Sequence, residues 1–330
     1  LTVDTNTLHV DATNNRVGIG TTTPKTLLHL HTDIAPTFSN DTHAGEALFV
    51  RSAGSDGDGN AQAVIGFGKS DGTASRSGAA IASVQTGSDP DSCGIGFYTS
   101  PSSSSVQTLA QKVLIDNSGR LLLGTTTEGN ASADDLTVAG SGDTGITVRS
   151  GTGNSGNLFF SDGTSGGDEY RGYLQYQHST NKLAIGTNAT TAITLDSSQR
   201  VLVGHTTSEA MYYTGSVQVQ GTNSTTSAIT IKTNQNDSGG PALVLGKSRG
   251  ALGSATAVND DDVLGHIFFN GADGTDTVSY GAEIRCQVDG TPGSNDMPGR
   301  LAFFTTADGA ATSTERLRID CRGFLGINES

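Results

Sequence analysis

Three groups of residues in this chain have types and spacings that could do chemistry. His29-Leu-His31 sets two imidazoles on one face of a strand. Three copies of that strand about an axis would gather six nitrogens, a donor set suited to a transition metal. The same spacing also arises by chance on any solvated strand face. Asp56-Gly-Asp-Gly-Asn60 and Asn259-Asp-Asp-Asp262 offer oxygens in the pattern a hard cation prefers. Yet Phe67 stands where an EF-hand loop needs its bidentate Glu, and Asp/Gly runs also make plain turns. Asp168, Glu169, Glu283 and Asp289 could pair as the acid and base of a glycosidase, whose two carboxyls are defined by their separation in space. With 33 acidic residues in the chain such pairs are easy to find, and Trp, which stacks well on sugars, is absent. No Ser/His/Asp nucleophile setting, phosphate loop or dinucleotide turn occurs. The expectation is a protein that is not an enzyme, with no catalytic residue, no metal ligand and no cofactor assigned.

The elements that would position these groups are strands and turns. Of 330 residues only 34% are hydrophobic and 5% aromatic, while Gly, at 45, has about twice its usual share of roughly 7%. Disorder does not follow, because short Val/Ile/Leu/Phe runs with period-two alternation keep returning between Gly/Ser/Asp/Asn clusters. A formal charge of −14 and the lack of any Lys/Arg cluster argue against nucleic acid or an anionic membrane as partner. Cys93, Cys286 and Cys321 are odd in number and far apart, so they read as small apolar side chains. No apolar run approaches the ~18 residues of a membrane span, and membrane insertion is not expected. The chain begins at Leu1 rather than Met, which reads as a fragment or a processed form.

One phrase recurs. Val113-Leu-Ile-Asp-Asn-Ser-Gly-Arg-Leu-Leu-Leu-Gly124 reads as a β-hairpin in which Asp116 starts a type I turn and Gly119 takes the left-handed position. Related copies turn at Asp196, at Asp320 with Gly323, and more loosely at Asp11. Gln199 replaces the turn Gly in one copy, and Phe324 replaces the Arg after the turn in another. Thr-rich bridges follow the hairpins at Thr21, Thr125 and Thr206, each leading to another short apolar strand. Between hairpins lie three inserts that align with one another, opening at Ala47-Leu-Phe-Val50, Ile146-Thr-Val148 and Ala242-Leu-Val-Leu245. The organisation expected is an N-terminal hairpin and connector over residues 1–43 and β modules over 44–129, 130–209 and 210–330. The unequal module lengths disfavour a strict solenoid.

A lone module of this composition could hardly bury enough apolar surface. Leu121, Leu122 and Leu123 are consecutive, so one of them must point away from whatever core the other two join. Association of three chains about an axis would supply the second core and remove open strand edges. The expected fold class is therefore all-β: an elongated, intertwined homotrimeric fibre of short antiparallel strands and β-hairpins in three repeated modules.

Arg16-Val-Gly-Ile-Gly-Thr-Thr-Thr-Pro24, Gly156-Asn-Leu-Phe-Phe-Ser-Asp-Gly163, Glu169-Tyr-Arg-Gly-Tyr-Leu-Gln-Tyr176 and Glu315-Arg-Leu-Arg-Ile-Asp320 resemble the repeats of bacteriophage tail fibres, above all those of marine and cyanobacterial phages. The resemblance covers nearly the whole chain, and its motifs are structural. It implies a virion component, extracellular, that joins other tail proteins and attaches to a host surface glycan or outer-membrane protein. Proteins of this type often carry a self-trimming endosialidase-type intramolecular chaperone, whose cut could fall at Ser330; the alternative there is a plain boundary. Two rival classes remain, a glycan-depolymerising tailspike and a bacterial trimeric adhesin.

Overall fold

In the computed structural model of the chain, residues 7–34, 48–50, 57–70, 75–100 and 108–327 are described. They are strands and turns, with one 3-10 turn at Gly166–Tyr170, and form two compact units, residues 1–146 and 147–330. In the first unit β1 (Leu8–Asp11), β2 (Arg16–Ile19) and β3 (Leu28–Leu30) make a small sheet. A six-stranded sheet follows, of β4 (Ala61–Ser70), β5 (Ser75–Gln85), β6 (Cys93–Thr99), β7 (Ala110–Ile115), β8 (Leu121–Leu123) and β9 (Leu136–Val138). In the second unit β10 (Ser155–Phe160), β11 (Gly172–Gln177), β12 (Lys182–Thr187), β13 (Thr190–Leu195), β14 (Val201–Val203) and β15 (Val217–Val219) form another. The last sheet holds β16 (Val263–Asn270), β17 (Tyr280–Val288), β18 (Gly299–Thr306), β19 (Ser313–Ile319) and β20 (Leu325–Ile327). Within each sheet, strands adjacent in sequence are adjacent in space.

All pairings are antiparallel but three, and these differ from the sequence expectation. β3, β9 and β15, the strands after the Thr-rich bridges, lie parallel to β2, β8 and β14. The bridge returns the chain to the starting end of the hairpin strand, so the next strand runs alongside it in the same direction. The hydrogen bonds repeat closely. Val17, Leu121 and Val201 donate their N–H to Leu27, Asp135 and Ser216, each at 2.8 Å, and Ile19, Leu123 and Val203 accept from His31, Ala139 and Gln220 at 2.9–3.0 Å. Gly20, Gly124 and Gly204, at the start of the bridges, have φ of +76°, +74° and +79°. A Cβ there would stand 2.1–2.3 Å from the carbonyl oxygen of the residue after the parallel strand. Glycine is required at these three positions by backbone conformation and by close approach together.

Register separates the two faces of every sheet. On one face, cross-strand neighbours form apolar rows one residue wide: Ile65, Ile81, Phe97, Val113, Leu123 and Val138 in one sheet, and Leu158, Leu174, Ile185, Ile193, Val203 and Val219 in the next. The last sheet continues the pattern with Ile267, Ile284, Phe303, Leu317 and Ile327. Among the described residues this face is left largely open: Leu158 is 54% exposed and Phe269, on the same face as Ile267, also 54%. The opposite face carries what local core there is. Leu122 (1% exposed) packs there with Ala82, Val84 and Leu114, with Tyr98 against them. Leu202 is buried in the same way. So of the three leucines of β8, Leu121 and Leu123 look onto the open face and Leu122 is satisfied within the chain.

Two of the runs expected to open modules, Ile146-Thr-Val148 and Ala242–Leu245, stay outside the sheets. Val148 and Leu245 lie over Gly156 and Gly265, against the open apolar faces, and the segments do not extend the ladders. Of the third, Ala47 is outside the described residues and 48–50 are not a strand.

The glycines give a sharp contrast to test. Gly119 also has positive φ, +83°, but a Cβ there would meet nothing within 4 Å. Gly119→Ala should cost only the left-handed strain, about 1–2 kcal/mol. Gly124→Ala adds the collision with Ala139 and should cost roughly 3 kcal/mol or more, by releasing β9. Denaturant unfolding of both variants checks this, and equal losses would contradict the packing described.

Candidate functional site

The hairpin turns are held by their aspartates. Asp116 Oδ1 accepts from the N–H groups of Ser118 (2.9 Å) and Arg120 (3.0 Å), while Oδ2 accepts from Arg120 Nε at 2.7 Å. Asp196 repeats this with Ser198 and Arg200, and Gln199 holds the left-handed position at φ +63° in place of Gly. At Asp320 the backbone donors are Arg322 and Phe324, with Gly323 at φ +83°. Phe324 supplies no cation, and Arg322 reaches back to Asp320 instead, at 2.8 Å. Asp11 accepts from Thr13 and Asn14, and Asn15 takes the left-handed position at φ +55°. Burial alone would raise the Asp116 carboxyl; the bonds from Arg120 and Ser118 outweigh it and hold the group below the ordinary carboxylate range.

The bridges are anchored by the middle residue of each parallel strand. Thr137 Oγ1 accepts from Gly129 N–H, and Gln218 bonds both the N–H and the carbonyl of Glu209. Thr137 and Gln218 stand opposite Leu122 and Leu202, so each bridge lies over the leucine it covers. His29 is their counterpart in the first sheet: it stands opposite Gly18, and its Nδ1 accepts from Lys25 N–H at 3.4 Å. His31 follows the strand, 6.0 Å from His29 ring to ring, and its Nε2 lies 3.7 Å from Asp33. Within one chain His29 is thereby a bridge anchor. Among the described residues no group of three or more His, Cys, Asp or Glu is placed to hold a metal ion.

The acidic loops have internal partners. Asp56 lies outside the described residues; Gly57 and Gly59 donate to the side-chain and backbone oxygens of buried Gln85, and Asp58 is exposed. In the later loop Asp262 forms a two-point ion pair with Arg249 (2.6 and 2.7 Å) and accepts from Asn259 N–H. Asp261 pairs with Arg300 at 2.5 Å, and Asp260 accepts from Gly290 N–H at 2.8 Å. These loops share one backbone clasp: Asp261 and Val288 exchange bonds with their neighbours as Gly59 and Gln85 do.

Three of the four carboxylates considered for acid–base work, Asp168, Glu283 and Asp289, are engaged separately. Asp168 pairs with Arg171 at 2.6 Å on the 3-10 turn that also holds Glu169. Asp289 accepts from Cys321 N–H and from Arg300. Glu283 is 1% exposed, gripped by both ends of the Arg285 guanidinium at 2.6 and 2.7 Å and bonded to His266. Its burial favours the neutral acid, but Arg285 and His266 more than reverse that and hold it below the ordinary range. An ion so held is a poor proton donor. Its signal in sequence is Glu283 and Arg285 at the same-face spacing of a strand, in a chain only 16% charged.

An aromatic cluster adjoins this ion pair. Phe268 stacks on His266 (4.8 Å, 14°), and Tyr212 packs on Phe268 and Tyr280 at 4.9 and 5.3 Å. Tyr212 has φ +67°, an uncommon and costly conformation for a bulky residue. Beside it, His205, Glu209, Met211, Tyr213 and Gln218 line an open cavity of about 280 Å³. Glu209 is the one carboxylate there, so the arrangement suits binding rather than two-carboxylate hydrolysis. The adjacent Tyr212-Tyr213 in an aromatic-poor chain was the available sequence signal. Among the described residues no helix is long and apolar enough to cross a membrane.

No protein-family model and no curated protein matches the chain. Among solved structures, the carboxy-terminal domain of the bacteriophage T5 L-shaped tail fibre is similar at a TM-score of 0.25 and 12% identity, over 89% of each chain. The same domain with its intra-molecular chaperone domain gives 0.27 and 12%, over 90% of this chain and 61% of that one. Scores of this size do not establish a shared fold.

The turn aspartates set a pH dependence. Because the folded value of Asp116 is depressed, its stabilisation is present above the unfolded value of about 3.9 and is lost as pH falls through the lower folded value. Asp116→Asn should lower stability at pH 7 by about 1–3 kcal/mol, with the gap to wild type closing as pH falls below about 4. Urea unfolding across pH 2–7 measures it; a gap that persists at pH 2 would show that shape rather than charge is lost.

Proposed function

We propose that this chain is a structural segment of a bacteriophage tail fibre, working as a homotrimer that projects from the virion and attaches to the host cell surface. The carrying observation is the continuous apolar face left open on every sheet, row upon row, while the opposite face is closed by bridges, ion pairs and capped turns. Three such faces turned toward a common axis give one shared core and leave the polar faces to solvent. The segments at Ile146–Val148 and Ala242–Leu245, unpaired within the described chain, would pack on neighbouring copies as well as on their own sheets, which is what intertwining requires. The repeated phrases resembling tail fibres give the assembly its setting: other virion tail proteins at one side, a host glycan or outer-membrane protein at the other.

In this reading the modules are residues 44–129, 130–209 and 210–330 after the N-terminal hairpin of 1–43. The turns at Asp11, Asp116 with Gly119, Asp196, and Asp320 with Gly323 are scaffold, and contact with the host comes from the loops between strands. Three times −14 formal charges on the trimer favour neutral sugar or protein epitopes over anionic ones. The depolymerase reading is weaker, since both carboxylates are held ionised, Glu283 by Arg285 and His266 and Asp289 by the Cys321 N–H and then Arg300.

Leu122, buried within one chain, does not test association; its neighbours on the open face do. Phe97→Asp should convert the trimer to monomer at micromolar concentration, because it would place an unpaired charge in the shared core. Asn157→Asp, on the opposite face and still able to accept from Gln175, should leave the trimer intact. Sedimentation velocity of the two variants decides it; association unchanged by Phe97→Asp would refute the inward-facing arrangement. Replacing residues 161–168 and 250–257 by short Gly-Ser turns should abolish binding of labelled fibre to host cells without changing the number of chains in the assembly, and retained binding would refute loop recognition.

A further inference from the structure

The three bridges open, after Gly20, Gly124 and Gly204, on Thr21, Thr125 and His205. The two threonines are used locally. Thr21 Oγ1 accepts from Thr23 N–H at 3.2 Å, while Thr125 Oγ1 accepts from Thr127 N–H at 3.0 Å and donates to the Thr127 carbonyl at 3.2 Å. His205 does the same work with one ring nitrogen, since its Nδ1 lies 2.8 Å from the Thr207 carbonyl. A carbonyl only accepts, so Nδ1 carries the hydrogen, and Nε2 of the neutral ring is left as a lone pair. That Nε2 is buried and has no hydrogen-bond partner among the described residues. The turn asks of this position only what a threonine gives, so the second nitrogen is surplus to the fold.

His205 lines the open cavity of about 280 Å³ beside its bridge, and so do Glu209 and Gln220. Gln218 fixes Glu209 by its backbone N–H and carbonyl, each at 3.0 Å, and Gln220 Nε2 donates to Glu209 Oε2 at 3.1 Å. Among the described residues Glu209 makes no ion pair. His205 Nε2, Glu209 Oε1 and Gln220 Oε1 are therefore three acceptors without a donor, one of them on a charged group. The apolar wall comes from the same bridge, which at residues 205–216 is longer than its counterparts at 21–27 and 125–135 and carries Met211 and Tyr213, 58% and 62% exposed. Tyr212 between them keeps its left-handed φ of +67° by packing on Phe268 and Tyr280, so a strained residue sets the wall in place.

We propose that this cavity binds a primary alkylammonium group. Such a group has three donors and no acceptor, which matches His205 Nε2, Glu209 Oε1 and Gln220 Oε1, and its charge answers the unpaired carboxylate. The Tyr213 ring adds a face that attracts cations, and Met211, Val217 and Val219 suit an alkyl stem. A hydroxyl can donate to one of these acceptors but brings no charge to Glu209. A metal ion is not favoured, because no group of three or more His, Cys, Asp or Glu is gathered among the described residues. The same ammonium chemistry is presented by a lysine side chain and by a free alkylamine. This inference does not rest on the tail-fibre reading or on the number of chains in the assembly.

The test is calorimetric titration of the full chain, in an amine-free buffer at neutral pH, with n-pentylamine, Nα-acetyl-lysine methylamide, 1-pentanol and glucose. At least one of the two amines should bind at millimolar concentration with one site per chain, and the two uncharged compounds should bind roughly tenfold or more weakly. Tighter binding of the lysine derivative assigns the site to a lysine of a partner polypeptide, and tighter binding of pentylamine assigns it to a free amine. His205→Thr restores the residue found at the other two bridges, so it should leave the melting temperature unchanged while weakening amine binding about tenfold; Glu209→Gln should weaken it at least as much. No binding of either amine, equal binding of pentanol or glucose, or full affinity in His205→Thr would overturn the proposal. Amine binding that Glu209→Gln leaves unchanged would be attraction to the overall negative charge and would overturn it too.

Discussion

An apolar row such as Ile267, Ile284, Phe303, Leu317 and Ile327 runs the full width of its sheet, and among the described residues no second sheet is laid over it. Fully covering one such side chain contributes about 1.5–3 kcal/mol, so three sheets with several rows each hold more unburied driving force than the net stability of an ordinary domain. The remaining features of the structure are arranged around that surplus. Strands are short, aromatics are concentrated on particular rows, and Gly and Ser occupy the connections that a bulky residue would obstruct.

The opposite faces are finished locally, with chemistry that needs no partner chain. Asp116 and Asp196 close their turns with two backbone donors and an arginine each, and the Thr-rich bridges fold back to bury Leu122 and Leu202. Glu283 is the extreme case, a carboxylate sealed under Arg285 and His266 with the Arg285 guanidinium 4.2 Å over the Phe304 ring. Breaking such a pair would leave an uncompensated buried charge, while keeping it fixes which face of the last sheet is polar. The two faces therefore differ in how they are satisfied as well as in composition: one is closed within the chain, and the other is left open.

The all-β class was legible because period-two runs such as Arg316-Leu-Arg-Ile319 between Gly- and Asp-rich turns admit little else. The parallel direction of β9 and β15 was not, since Leu-Thr-Val reads identically in either direction and only the path of the bridge decides it. Composition made Ile146–Val148 and Ala242–Leu245 look like strands. They lie outside the sheets because a ladder needs a neighbour, and within the described chain none is in register. Among candidate sites, spacing could place His29 and His31 on one face but could not show that His29 is occupied by Lys25 N–H. The arginine partners of Asp261, Asp262 and Asp289 come from residues 11 to 39 positions away, beyond the reach of local pattern.

The central claim is that the open faces are closed by copies of the same chain, and native mass measurement of the purified protein tests it most directly. At micromolar concentration and moderate salt the account predicts a single species at three times 33.6 kDa, stable to dilution because the shared core is apolar. A well-folded species at 33.6 kDa would contradict it, and with it the assignment of the apolar rows to a shared interior.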